Sequence, residues 1–349
     1  MATRHSVNAV QRPSVLLWVA RPDKARVDSG RGSLESTIVP AFERKEVQPM
    51  RRLTQLIVPV IATTALTAAG CGTTREAQYR TEAPAEAADE SAQSAAEGLI
   101  AEGDAAWEQR KDKAQLELAI AKWTEAAAAA PSGELFVKLS RAHYFLGDGW
   151  YAVEGDAEKR DAHYTEGLTY AEKAMGMLAP DFVAAVEGGE EVETAILKAP
   201  PEAVPAMYWQ ATNLGKWAAS KGFATRLKYK DSIAATMKHV KSLDENYFYA
   251  APWRYFGAFE AATAGLAGGD LEKSKTNFEK SIEMAPAYLG TKVLFATYYC
   301  TKAQNKELYE KLLNEVIAAD PAADPAIEAE NIREIEKARQ ALAKIDEEF

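Results

Sequence analysis

Residues 116–131, LELAIAKWTEAAAAAP, and residues 271–286, LEKSKTNFEKSIEMAP, decide the fold. In the first, small Ala119 is followed four residues later by large Trp123, then three later by small Ala126 and five later by Pro131. Ser274, Phe278, Ser281 and Pro286 repeat that spacing behind the turn Gly268-Gly269-Asp270. Steps of three and four keep side chains on one face of an α-helix. The small ones let a second helix approach, the ring fills the space between, and proline stops the helix. Each stretch is followed by a helical segment carrying an aromatic, Tyr144 in ELFVKLSRAHYFLGD and Tyr299 in YLGTKVLFATYYC. Gly167, Ala171 and Ala174 in YTEGLTYAEKAMGMLAP form a weaker third copy.

Outward from these stretches, apolar residues recur at helical spacing from Leu99 onward, and alternating β-branched runs are scarce. Breakers at Pro131, Gly147-Asp148-Gly149, Pro180, Gly188-Gly189, Pro200-Pro201, Pro286 and Asp320-Pro321 leave pieces one helix or one helix pair long. The spacing is that of the second helix of a tetratricopeptide unit. The expected fold is therefore all-α over residues 99–349. Irregular tetratricopeptide-like helical-hairpin repeats would form a compact solenoid or bundle.

Of 349 residues 47% are hydrophobic, which is enough for a sizeable core. The net charge is -10, and beyond residue 52 Lys and Arg are interspersed with a larger number of Asp and Glu. No basic stripe is left to neutralise phosphates, so nucleic acid is excluded as a partner. Two cysteines exclude a disulfide scaffold and a four-sulfur zinc site.

The first of them stands in an address. Met50-Arg51-Arg52 precedes the uncharged LTQLIVPVIATTALTAAG and then Cys71, the layout of an export signal. Pro59 interrupts the apolar stretch, which is short of the roughly 20 residues a spanning helix needs. Ala68-Ala69-Gly70-Cys71 resembles the lipobox of bacterial lipoproteins, with Ala68 where leucine is usual. Cys71 is thus the expected lipidation site, residues 50–70 a lipoprotein signal, and residues 1–49 an upstream extension called in error. Residues 71–98, rich in Ala, Glu, Ser and Thr, read as a flexible solvated tether that turns helical towards its end. The body would be held in the periplasm on a bacterial membrane. Gly72 in place of aspartate slightly favours the outer one.

No nucleophile elbow, phosphate loop, HExxH or CxxC is present, so no enzyme, cofactor or metal centre is expected. His143, Asp148, Asp161 and His163 could gather at a loop, but their spacing follows no ligand rule. The aromatics say more. Tyr208 and Trp209, with Trp217 one helical face along, then Tyr249, Trp253 and Tyr255, and finally Tyr299, are the candidates for a partner or ligand groove. The competing reading of the same rings is core packing.

The segments MYWQATNLGKWAA (207–219), SLDENYFYAAPWRYFG (242–257), GGDLEKSKTNFEKSIEMAP (268–286), YLGTKVLFATYYC (288–300) and ELYEKLLNEVIAADP (307–321) resemble, in this order, the T component of tripartite ATP-independent periplasmic (TRAP) transporters. The closing ENIREIEKARQALAKIDEEF, with Asn331 and Ala338, fits the family's last helix, although it is more charged than that helix usually is. A Gln304-Asn305 turn also replaces a commonly acidic position. The resemblance implies a lipid-anchored accessory protein that does no chemistry and associates with the solute-binding P component. It also implies a hydrophobic or organic-acid ligand and leaves room for a homo-oligomer. The alternative is a general tetratricopeptide lipoprotein scaffold for cell-envelope or pilus assembly.

Overall fold

The computed structural model describes residues 73–80, 90–265 and 268–349. The signal, the upstream extension and Cys71 lie outside the described residues. Within them the fold is all-α, with no strand beyond one isolated bridge between Ala264 and Gly269. The helices begin with α1 (Glu90–Trp107), α2 (Lys113–Ala129) and α3 (Gly133–Phe145), the last running through a π-helical turn, Leu146–Tyr151, into α4 (Ala152–Glu154). Then come α5 (Ala157–Leu178), α6 (Pro180–Glu187), α7 (Val192–Ala195), α8 (Val204–Ser220), α9 (Phe223–Leu243), α10 (Tyr247–Thr263) and α11 (Leu271–Met284). A second π-helical turn, Phe295–Cys300, joins α12 (Gly290–Leu294) to α13 (Thr301–Ala303), and α14 (Lys306–Ala318), α15 (Glu328–Leu342) and α16 (Ile345–Glu348) close the chain. No described helix is long and apolar enough to cross a membrane.

Local chemistry sets the boundaries. Asp112, Ser132, Asp156, Asp270 and Asn305 each cap a helix by accepting from a backbone N–H of its first turn. The two deciding stretches are α2 and α11, and they end alike. Ala130 and Ala285 take nearly the same backbone angles, φ -143°, ψ 84° and φ -141°, ψ 66°, and return their N–H to Ala126 and Ser281. Each ring meets a glycine on the preceding helix. A Cβ on Gly103 would stand 2.5 Å from the Trp123 ring, and one on Gly257 would stand 2.7 Å from the Phe278 ring. Glycine is what lets these helix pairs close.

Neighbouring helices pair as α1 with α2, α3 with α5, α5 with α8, α8 with α9, α10 with α11 and α14 with α15. Helix α8 sits among α3, α5 and α9 and is buried along nearly its whole length. Residues 73–80 correct the expectation of a solvated tether up to residue 98. They lie against the body, with Tyr79 only 8% exposed and edge-on to Phe182 at 5.5 Å. The helix expected at the end of this stretch is present, since α1 starts at Glu90.

Candidate functional site

The seven aromatics singled out by sequence occupy several clusters rather than one open groove. Tyr208 and Trp209 are fully sealed: Tyr208 stacks on Phe248 at 5.3 Å, and Trp209 meets Phe248 at 5.0 Å and Tyr144 at 5.4 Å. Trp217 does share the Trp209 face of α8, but that face points inward, edge-on to Tyr229. Tyr249 stacks on Tyr288 beside Ile327, Tyr255 on Phe259, and Tyr299 packs on Phe295. Trp253 alone keeps a surface. Its Nε1 donates to Glu245 at 3.1 Å, and the Lys241 ammonium sits 3.0 Å from its ring centre. The period placed the rings on one face of each helix; it did not say how many neighbours would cover that face.

Tyr208 and Trp209 belong to an interior that is more polar than the sequence implied. The first π-helical turn aims Asp148 inward, where it accepts from Tyr164 at 2.8 Å and pairs with Lys216 and Lys337. Burial alone would raise the Asp148 pKa, but the two ammonium groups hold it well below the ordinary carboxylate range. Glu334 shares Lys337 at 3.1 Å. Burial and the nearby Asp148 push it up to about 7 against the pull of Lys337. On the other side, Glu330 pairs with Arg110 through two bonds, 3.1 and 2.8 Å, and with Arg141 at 3.3 Å. Both guanidinium groups lie 4.5 Å from the Trp107 ring centre.

Phe248, Tyr249 and Ala250 adopt left-handed angles in succession, with φ 54°, 58° and 54°. Each such residue costs about 1–2 kcal/mol in an L-chain. Buried Arg254 offsets part of this by donating to the Phe248 and Tyr249 carbonyls at 2.8 and 2.7 Å. The hydroxyls of Tyr144 and Tyr208 and the Trp209 Nε1 are buried in the same region, with no partner in good hydrogen-bond geometry. His143 and His163 meet at 2.9 Å through their Nδ1 atoms, both neutral because burial lowers their pKa, that of His143 to about 3. Asp148 and Asp161 do not join them, since Asp161 pairs with Arg160. Among the described residues no three His, Cys, Asp or Glu side chains are placed to hold a metal.

An open concavity among the described residues lies elsewhere. Asp104, Ala105, Trp107 and Glu108 of α1, Trp123 of α2, and Lys138 and Arg141 of α3 line a cleft of about 350 Å³. Trp123 Nε1 and the Lys138 ammonium both bond Asp104, at 3.0 and 2.7 Å, and Arg141 pairs with Glu330, so the indoles form an apolar floor among paired charges. Sequence reasoning used Trp123 only as a repeat position and passed over Trp107. The available signal was Arg110 three residues after Trp107, a spacing that stacks a cation on a ring along a helix.

Residues 135–349 match the family described as TRAP transporter T-component. The match begins inside α3, so α1 and α2, which supply most of the cleft, precede it. No curated protein matches the chain.

Proposed function

The chain belongs to the TRAP transporter T-component family, and from that premise we propose that it is the accessory T component of such a transporter. It is a helical scaffold without a reactive centre, held at the periplasmic face of a bacterial membrane by acyl chains on Cys71. It docks the solute-binding P component and assists transfer of its ligand. The family match over residues 135–349 is the observation that carries this reading. The cleft of α1, α2 and α3 supplies the place for ligand contact. Two indoles among the charges of Asp104, Glu108, Lys138 and Arg141 line about 350 Å³, a floor that suits a small ligand with an apolar body. Anchoring raises the local concentration of both partners at the membrane, where transfer ends.

Co-purification from membranes, followed by identification of bound protein and small molecules, tests the docking. Recovery of a P component supports it, whereas recovery of envelope- or pilus-assembly proteins in its place overturns it. Ala105→Trp tests the cleft, because Ala105 is exposed and the larger side chain fills the space without touching the core. Ligand affinity falls at least about tenfold, a change of about 1.4 kcal/mol, while P-component recovery is kept. Unchanged ligand affinity removes the cleft from the pathway.

A further inference from the structure

The strap of residues 73–80 is fixed to the body at Thr73, Thr74, Arg75, Gln78 and Tyr79. Thr73 N–H donates to Thr225 Oγ1 at 2.9 Å, Thr74 receives the Lys228 ammonium, and Arg75 N–H donates to the Tyr229 hydroxyl at 3.1 Å. The Arg75 side chain pairs with buried Glu172, which also accepts from Gln78 N–H at 2.9 Å. The Tyr79 carbonyl lies 1.8 Å from where a Cβ on Gly176 would stand, an approach only glycine permits. The described chain thus enters at the first turns of α9, where Thr73 is bonded, and Cys71 stands two residues earlier in sequence.

Those turns have the composition of an interfacial helix. Phe223 is 65% exposed and Leu227 49%, one turn apart on the same face. Gly222, at φ 96°, makes the turn from α8 that presents them, and Lys221 and Lys228 flank them in solvent. Helix α9 carries five Lys and Arg against a single Asp, in a chain whose net charge is -10. No other described helix has more than one basic side chain in excess. Exposed aromatic and aliphatic side chains framed by lysines bind the boundary between headgroups and acyl chains, most strongly where lipids are anionic.

We propose that the start of α9, from Lys221 to Lys228, is a membrane-contact surface that seats on an anionic phospholipid leaflet. Phe223 and Leu227 enter the acyl boundary, and Lys221 and Lys228 meet phosphate headgroups. The proposal rests on the reading of Cys71 as the acylated residue and adds an orientation to it. Thr73, two residues after the acylated one, is bonded to α9, so the body meets the membrane by this edge.

The test uses the acylated protein extracted from membranes and reconstituted in vesicles of phosphatidylethanolamine and phosphatidylglycerol. Ala224→Cys places a fluorophore between Phe223 and Leu227, and Ala322→Cys places one on another exposed loop. Native Cys300 does not compete for the label, since it is buried and its thiol is pushed up to about 12. A brominated lipid quenches the probe at 224 and leaves the probe at 322 bright. The quenching is lost in Phe223→Ser/Leu227→Ser. It also weakens in Lys221→Glu and on phosphatidylcholine vesicles. Equal emission from the two probes on an acylated protein overturns the proposal, as does shielding at 224 that requires an added protein. Intact mass reads the anchor separately: a chain without acyl groups on residue 71 overturns the anchor reading whatever the probes report.

Discussion

Helices α1 to α3 and helices α10 to α12 are built on one spacing, yet their interiors differ. Both place a ring against a glycine, Trp123 on Gly103 and Phe278 on Gly257, and both end the second helix with the same backbone angles before proline. Both then run the next helix through a π-helical turn. In the first unit that turn is LGDGWY, and it delivers Asp148 to Lys216 and Lys337. In the second it is FATYYC, and it delivers Phe295 to stack on Phe278 at 5.0 Å. The recurring spacing fixes where helices meet. What the turn carries decides whether the meeting place is ionic or apolar, because the extra residue of a π-turn re-aims the side chains around it.

Removing the charge breaks the contrast most severely. Asp148→Ala takes the carboxylate from buried Lys216 and leaves buried Lys337 with Glu334 alone, a loss of about 3–5 kcal/mol by urea unfolding. A loss below about 1 kcal/mol would mean that Lys216 and Lys337 reach water easily, and that the first unit is no more ionic than the second.

Next in size is the pH dependence that this ionic interior imposes. Glu334 holds its proton up to about 7 in the folded chain, against about 4.3 in an unfolded one. The folded state therefore binds the extra proton between these values, and stability from this group is intact below about pH 4 and declines towards pH 7, by roughly 3 kcal/mol. His143 works in the opposite sense, since burial keeps it neutral and folding loses stability as pH falls below about 6.5. The depressed Asp148 contributes throughout this range and loses its effect only at lower pH. Comparing wild type with Glu334→Gln separates the terms. The variant gains stability relative to wild type as pH rises from 4 to 7, by roughly 3 kcal/mol, and a constant difference refutes the assignment.

The shared frame was legible in the sequence, since side chains at steps of four, three and five residues must fall on one helix face wherever the helix packs. The T-component resemblance was legible on the same short segments, and the match over 135–349 bears it out. What the π-turns carry was not. Asp148 sits in Gly147-Asp148-Gly149, a run that reads as a break between helices but is helical throughout, with all three residues buried. Its partners Lys216 and Lys337 come from α8 and α15, too far along the chain for periodicity to connect. The left-handed turn at Phe248, Tyr249 and Ala250 was hidden too, because none of the three is glycine and buried Arg254 pays for the conformation from inside α10. The strap was missed because a polar run with one tyrosine looks solvated until Glu172, Thr225 and Gly176 are seen opposite it.

The smallest effect sharpens the comparison furthest. Gly103→Ala and Gly257→Ala make the same change at matched positions, and each gains about 1 kcal/mol of helix propensity. Each also drives a methyl into a ring, at 2.5 Å from Trp123 and 2.7 Å from Phe278. The rings differ in their freedom to retreat. Phe278 is fully buried and backed by Phe295 at 5.0 Å, nearly parallel, so it cannot move without displacing the second π-turn. Trp123 is buried as well and packs on Trp107 at 5.7 Å, but it borders a cleft of about 350 Å³, so it has space on one side to yield into. Overpacking in a closed core costs about 1–3 kcal/mol. Gly257→Ala is accordingly a net loss of up to about 2 kcal/mol, and Gly103→Ala stays within about 0.5 kcal/mol of wild type while reshaping the cleft. Chemical unfolding of the two variants reads the difference directly. Equal losses would show that Trp123 is as tightly enclosed as Phe278, and that the cleft of the first unit is no looser than the core of the second.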